Sequence, residues 1–91
     1  MLEVLLSNRF KKDLKLAKKR GYNLELLYDV VDILARQEPL PEKHRDHALS
    51  GDYTGFRECN IQPDWLLVYR IQNGGLMLFL NRTGTHSDLF D

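Results

Sequence analysis

Apolar positions recur at helical spacing through the first third of the chain and at strand spacing through the last third. Leu2 to Leu6 is a short apolar run, long enough for one strand. Phe10, Leu14 and Ala17, with Leu16 beside them, then form a stripe at helical spacing. Ser7 or Asn8 is placed to cap that helix, because a side-chain oxygen there accepts an N–H that the first turn leaves unpaired. Gly21 ends it, and Lys18, Lys19 and Arg20 sit at the negative end of its dipole. Asn23 caps a second helix in which Leu24, Leu27, Tyr28, Val31, Leu34 and Ala35 follow the i, i+3, i+4, i+7 pattern, and which stops before Pro39. Residues 39–52 hold no sustained period and read as a connecting loop. From Tyr53 the pattern is that of strands: Phe56 to Ile61, Asp64 to Gln72 and Gly75 to Arg82, with turns at Asn60 to Pro63 and at Asn73-Gly74. The run Trp65-Leu66-Leu67-Val68-Tyr69 is almost continuously apolar, as in a strand covered on both faces, and Trp65 and Tyr69 belong to the core.

The resulting order, βααβββ with a short tail, predicts an α+β fold with two helices packed on a mainly antiparallel sheet. Ninety-one residues, 43% hydrophobic and 29% charged, are expected to make one domain spanning 1–91, neither disordered nor fibrous. No apolar run approaches the ~20 residues of a membrane span. The N-terminus has neither the basic start nor the cleavage site of a signal peptide, and the lone Cys59 suits a reducing cytoplasm.

The formal net charge is zero, but Arg9, Lys11, Lys12, Lys15, Lys18, Lys19 and Arg20 crowd one twelve-residue stretch opposed only by Asp13. For contact with a polyanion, that local field matters more than the total.

The candidate chemistry gathers at the ends of the last three strands, in Arg57-Glu58-Cys59-Asn60, Pro63-Asp64-Trp65 and the segment from Arg82 to Phe90. Imidazoles, carboxylates and guanidiniums beside a core suit a site that moves protons next to an anionic substrate, and RNA fits that description best. Each residue also has a plainer use. His47 lies in a polar loop, Asp64 follows Pro63 as turn residues do, and Asp88 suits the cap of a terminal turn. Arg57 and Arg82 are able to pair with Glu58 and Asp64, and Phe90 to plug the core. His44, three residues before His47, raises the question of a metal shared with His86 and Cys59, but the spacing matches no closed zinc pattern, so neither a metal nor a cofactor is expected.

The ordered words Lys12-Asp13-Leu14-Lys15, Pro39-Leu40-Pro41, Asp46-His47-Ala48-Leu49-Ser50-Gly51, Gly55-Phe56-Arg57-Glu58, Pro63 to Tyr69 and Arg82 to Phe90 span the chain. In them the chain resembles the YafQ-type branch of the RelE/ParE toxins of bacterial type II toxin–antitoxin systems. The resemblance implies a ribosome-dependent mRNA endonuclease that inhibits translation in the cytoplasm and is neutralised by a cognate antitoxin, with two toxins and an antitoxin dimer forming a heterotetramer. It also implies active positions at His47, Asp64, His86 and Phe90, with Glu58 at a further carboxylate position. Asn60 departs from the pattern, standing where relatives can carry a histidine.

Metal-independent cleavage of RNA requires the ribose 2′-OH to lose a proton, the phosphorane to be stabilised and the 5′-oxygen to gain a proton. Histidine suits both proton steps because its ordinary pKa, about 6.5, lies near working pH. We take His86 as the acid and His47 as the base, with the reverse assignment open. Asp64 orients an imidazole, and Glu58 does the same or serves as a base. Arg82 and Arg57 suit the phosphate, and Phe90 offers a face for a base. Lys11, Lys12, Lys15, Lys18 and Lys19 suit an anchor on ribosomal RNA, the 16S rRNA of the small subunit. Two other readings remain open at this point: a gyrase inhibitor of the ParE type with the same fold, and a non-catalytic relative that only binds antitoxin or nucleic acid.

Overall fold

In the computed structural model, which describes residues 1–90, β1 (Glu3–Leu6) leads into α1 (Asn8–Lys19) and α2 (Leu24–Ala35). These are followed by β2 (His47–Ala48), β3 (Arg57–Gln62), β4 (Trp65–Gln72), β5 (Met77–Gly84) and a short α3 (His86–Phe90). The strands form one sheet in the order β1-β5-β4-β3-β2, antiparallel except for the parallel β1–β5 pair. The α+β class is as predicted, with two additions to βααβββ. The strand β2 has only two residues, too few to carry a period, and lies inside the expected loop. The tail coils into α3, because Thr85 and Asp88 cap it reciprocally. The Asp88 N–H donates to Thr85 Oγ1 at 3.1 Å, and the Thr85 N–H donates to Asp88 Oδ2 at 2.9 Å.

The helix starts follow their caps. Ser7 Oγ accepts from the Phe10 N–H at 2.9 Å, and Asn23 Oδ1 accepts from the Glu25 N–H at 3.1 Å. The second helix ends earlier than Pro39 requires, because Gln37, at φ +60°, turns the chain out of the helix. Its buried stripe, Leu27, Val30, Leu34 and Ala35, lies slightly round from the predicted one and leaves Tyr28 49% exposed. In the sheet, β3 runs on to Gln62, so Asn60 is a strand residue rather than part of the turn. The β4–β5 turn takes Asn73, Gly74 and Gly75, all at positive φ.

The helices cover one face of the sheet, where Phe10, Leu27, Val30 and Leu34 pack on Cys59, Ile61, Trp65, Leu67, Tyr69, Leu78 and Leu80. Burying each large apolar side chain there contributes about 1.5–3 kcal/mol. The opposite face is covered more lightly. Leu66 and Val68 lie under Leu89 of α3 and under Leu49, Tyr53 and Phe56 of the loop before β3. The unbroken apolar run of β4 thus serves two cores. No described helix is long and apolar enough to cross a membrane.

One irregularity decides which face carries the polar groups. Leu78 and Leu80 point to the helices, so strict alternation along β5 would send Arg82 into the core with them. The β4–β5 ladder shifts register between Val68 and Tyr69, pairing them with Arg82 and Leu80 and leaving Asn81 as the extra residue. Such a bulge reverses the parity of everything beyond it. Thr83 takes the buried place, donating to the Leu66 carbonyl at 2.7 Å and accepting from Trp65 Nε1 at 3.0 Å. Arg82 emerges beside Val68 on the opposite face. Ser7 Oγ, already the cap of α1, donates to the Asn81 carbonyl at 2.6 Å.

Candidate active site

Strand register places His47, Glu58, Val68 and Arg82 in one row across β2, β3, β4 and β5, all on the face away from the two long helices. With strands about 4.8 Å apart, the backbones of Glu58 and Arg82 are on the order of 10 Å apart, with Val68 between them.

At one end of the row His47 is held at both ring nitrogens. Nδ1 lies 2.6 Å from the Arg45 carbonyl, which can only accept, so Nδ1 carries a hydrogen. Nε2 then faces Glu58 Oε2 at 3.1 Å. The Glu58 side chain is 9% exposed and that of His47 is 52%, so the histidine is the solvent-facing member of the pair. Arg45, at φ +48°, supplies the sharp bend that turns its carbonyl toward the ring.

Beyond the other end of β4, Asp64 and His86 form a second pair. Asp64 sits at φ +56° after Pro63, a conformation that a short polar side chain tolerates. Its Oδ1 accepts the backbone N–H of His86 at 3.0 Å and the ring Nδ1–H at 2.8 Å. These two donors, the backbone one foremost, hold the Asp64 carboxyl below the usual carboxylate range. An ionised Asp64 fixes the His86 tautomer and leaves Nε2 as the atom free for proton transfer. This pair is exposed, at 63% for His86 and 62% for Asp64. No hydrogen bond among the described residues joins the His47–Glu58 pair to the Asp64–His86 pair.

The two arginines pair differently from expectation. Arg82 does not meet Asp64; it donates from Nε and Nη2 to Asp13 of α1 at 2.7 and 3.1 Å, and Asp13 Oδ2 also accepts the Thr83 N–H. That hydrogen bonding raises the Arg82 pKa further, and Nη1 has no hydrogen-bond partner among the described residues. Arg57 does not meet Glu58; it pairs with Asp46 at 3.3 Å, to which the buried Tyr69 hydroxyl also donates at 2.6 Å. Burial first, and then the Asp46 carboxylate, keeps that phenol protonated far above its ordinary range.

Phe90 is 41% exposed rather than a core plug, resting edge-on against Tyr53 at 5.3 Å with His86 at 6.5 Å. Leu89 is the residue of α3 that enters the core. Lys11, Lys12, Lys15, Lys18 and Lys19 are all exposed, and none pairs with a carboxylate among the described residues. His44 is buried and donates from Nδ1 to the Asn60 carbonyl at 2.6 Å, closing the β3 edge beyond β2. Burial pushes the Cys59 thiol up to about 12, so it behaves as a small apolar filler. No metal-sized group of three histidine, cysteine or acidic side chains forms among the described residues. A groove of about 920 Å³ runs along α2 past His44 and Asn60 to Asp64; its floor of Leu26, Val30 and Ile33 is apolar, and it is separate from the row.

Reading the residues in order missed four partners: Asp13, Asp46, Arg20 and the clamping role of Asp88. Arg20 holds Asp88 with Nη1 and Nη2, at 2.6 and 3.2 Å. The Thr85-x-x-Asp88 spacing was the one local signal available for Asp88. The others pair with groups up to 70 residues away.

Comparison with known proteins supplies an independent line. The family described as "Bacterial toxin of type II toxin-antitoxin system, YafQ" matches residues 2–91. The mRNA interferase toxin YafQ of Escherichia coli K12 is 38% identical over 85 residues, which is 92% of this chain and 90% of that protein. A metal-bound toxin from Helicobacter pylori has the same fold with a TM-score of 0.93, at 50% identity over 99% of this chain and 100% of its own. The E. coli YafQ solved in complex with DinJ, as a toxin–antitoxin pair, superposes with a TM-score of 0.89 at 35% identity, covering 99% and 98% of the two chains.

Proposed function

The chain belongs to the YafQ family of type II toxin–antitoxin toxins, and from that premise we propose that it is an mRNA interferase, an endoribonuclease that cuts mRNA on the ribosome and so stops translation. The observation that carries this reading is the state of the two histidines. Each has Nδ1–H fixed by an acceptor, Arg45 O or Asp64 Oδ1, so each offers Nε2 as its working atom. A protein that only blocks a partner needs no such pair of oriented imidazoles.

The reaction follows from the geometry. The ribose 2′-OH gives up its proton to the His47–Glu58 pair, where it is held at the imidazole Nε2 that faces Glu58 Oε2. The freed oxygen attacks the adjacent phosphorus, and the guanidinium of Arg82 carries the charge that builds on the phosphorane oxygens. The P–O5′ bond breaks as His86, protonated at Nε2 and oriented by Asp64, gives its proton to the departing oxygen. The products are a 2′,3′-cyclic phosphate and a 5′-hydroxyl, with every proton accounted for. Asn60 lies on the same face between the two pairs, but its amide transfers no proton near neutral pH, so two histidines carry out the work. Phe90 supplies a surface for a neighbouring base; Arg57, in register with Tyr69 and paired with Asp46 on the helix-side face, lies across the sheet from the row and takes no part in it.

The mRNA is presented by the ribosome, which the lysines of α1 contact through the phosphates of 16S rRNA. The second partner is a cognate antitoxin, two toxins sharing an antitoxin dimer, and the site of action is the cytoplasm where ribosomes translate. The E. coli relative solved with DinJ supports this assignment of partner class. The test is 3′-end mapping of an mRNA incubated with purified protein, with and without programmed ribosomes, beside His86→Gln. Cuts that need ribosomes and disappear in the variant are expected. A folded wild-type protein that leaves the mRNA whole under both conditions would refute the proposal.

A further inference from the structure

Two of the groups given roles above, Arg82 and His86, lie on the last nine residues of the described chain, and the same helix touches the support of each. Asp13 and Arg20 of α1 are seven positions apart, two helical turns, and so lie on one face of the helix, Arg20 being its C-cap. Asp13 meets Arg82 and the Thr83 N–H, while Arg20 meets Asp88 of α3, which in turn caps the turn that carries His86.

We infer that this face of α1 is a positioning rail for the reaction, with Asp13 and Arg20 as positioning residues that set Arg82 and His86 without touching substrate. Three observations carry it. First, the Asp13–Arg82 pair is 12–14% exposed, so it is a fixed contact rather than a loose surface pair. Second, Asp13 occupies Nε and Nη2 of Arg82, which leaves the guanidinium one orientation, with Nη1 the one nitrogen without a partner among the described residues. Third, Gly84 is packed so tightly that a Cβ there would lie 2.9 Å from Asp88 Oδ2, so the carboxylate that Arg20 grips presses directly on the backbone between Arg82 and His86. The rail also accounts for an acidic residue standing alone among seven basic ones.

The inference rests on the endoribonuclease reading, and its test separates the two. Asp13→Asn and Arg20→Gln are compared with wild type for cleavage on programmed ribosomes, for thermal melting and for the pH profile of the rate. Because misplacing a reacting group by an ångström can cost about 100-fold, kcat should fall by about 10- to 100-fold with KM little changed, at temperatures where each variant is fully folded. The alkaline limb of the pH profile, which reports the proton-donating His86, should move in Arg20→Gln and not in Asp13→Asn, since only Arg20 acts through the His86 segment. Arg20→Lys should restore part of the rate, and the Arg20→Gln, Asp88→Asn double variant should lose no more than the worse single one. If a neutral variant does not fold, Asp13→Glu and Arg20→Lys, which keep the charge and change its reach, give the same comparison. Wild-type kcat and pH profile in the folded variants would overturn the rail while leaving the nuclease intact. A wild type that cuts nothing would instead remove the reading beneath it.

Discussion

His47 and Glu58 face each other across the β2–β3 ladder with Nε2 3.1 Å from Oε2, while the far side of the imidazole is held 2.6 Å from the Arg45 carbonyl. Two acceptors bracket one ring, so the proton that enters this pair has a single resting place. Removing either partner should therefore affect the rate far more than the fold. A positioned acid or base contributes about 10²- to 10⁴-fold. Both His47→Gln and Glu58→Gln should fall within that range in single-turnover cleavage, and the double variant should lose little more than either alone. Additive losses would mean that the two act separately.

Arg82 has a more demanding geometry, because it serves Asp13 and the reacting phosphate at the same time. Lysine has one compact ammonium and cannot meet a carboxylate through two nitrogens while offering a third. Arg82→Lys should therefore be nearly as inactive as Arg82→Ala, both losing about 10²- to 10³-fold in kcat. The alanine variant also leaves Asp13 half-buried with only the Thr83 N–H, and should cost about 1.5–3 kcal/mol in urea unfolding. A lysine variant with near-wild-type kcat would show that charge alone suffices.

Much of this arrangement was legible in the sequence, and the rest was not for identifiable reasons. Ser7 and Asn23 announce their helices because capping is decided within four residues, and β4 announces its double burial by five consecutive apolar residues. The candidate residues His47, Glu58, Asp64 and His86 stood out by type. That a carboxylate would orient an imidazole was legible too, but which imidazole each one meets was not, since Asp64 reaches His86 across 22 positions. Arg82 was named for the phosphate by type, but the direction of its side chain was hidden more deeply. Alternation with Leu78 and Leu80 points it into the core, and only the bulge at Asn81, which no local residue preference marks, turns it outward. Asp13 looked like a solitary acidic residue in a basic helix until the sheet edge brought Arg82 and Thr83 against it.

Gly84 should tolerate no side chain. At φ +156° and with Asp88 Oδ2 2.9 Å and Asp88 Cβ 3.0 Å from an added Cβ, an alanine must push α3 away from β5. Overpacking of this kind costs about 1–3 kcal/mol. Gly84→Ala should lower the urea midpoint by a corresponding amount and lose cleavage beyond that, because His86 moves with α3. An alanine variant of wild-type stability would mean that Asp88 yields freely and that the Arg20 clamp is weak.

Acid should release the same helix. The Arg20 guanidinium first, and then the Thr85 N–H, hold the Asp88 carboxyl well below its ordinary range. A carboxylate depressed in the folded state contributes stability that is complete above its unfolded pKa, about 3.9, and is lost as pH falls below that toward the folded value. Asp64, depressed by the two His86 donors, adds in the same direction. Stability measured from pH 6 down to pH 2 should decline from about pH 4, and Asp88→Asn should be less stable at pH 6 with a shallower decline. Parallel curves for the two proteins would show that Asp88 takes no part in the acid sensitivity.

The lysines of α1 make a prediction of a different kind, because they should alter affinity without altering chemistry. Lys11, Lys12, Lys15, Lys18 and Lys19 are exposed and unpaired with carboxylates among the described residues, while the one acidic side chain of the helix is engaged by Arg82. If these ammoniums lie on ribosomal phosphates, each one replaced by glutamine removes a released counterion. The slope of log affinity against log salt should then become shallower by about one per residue. Ribosome binding measured over a series of salt concentrations for single, double and quintuple variants should show this graded change. Single-turnover cleavage at saturating ribosomes should stay near wild type throughout. The rail makes the prediction sharper, since Asp13→Asn should do the reverse, slowing saturated cleavage while leaving the salt slope unchanged. If the quintuple variant keeps the wild-type slope, α1 serves only to position Arg82 and His86, and the ribosome is met by another surface.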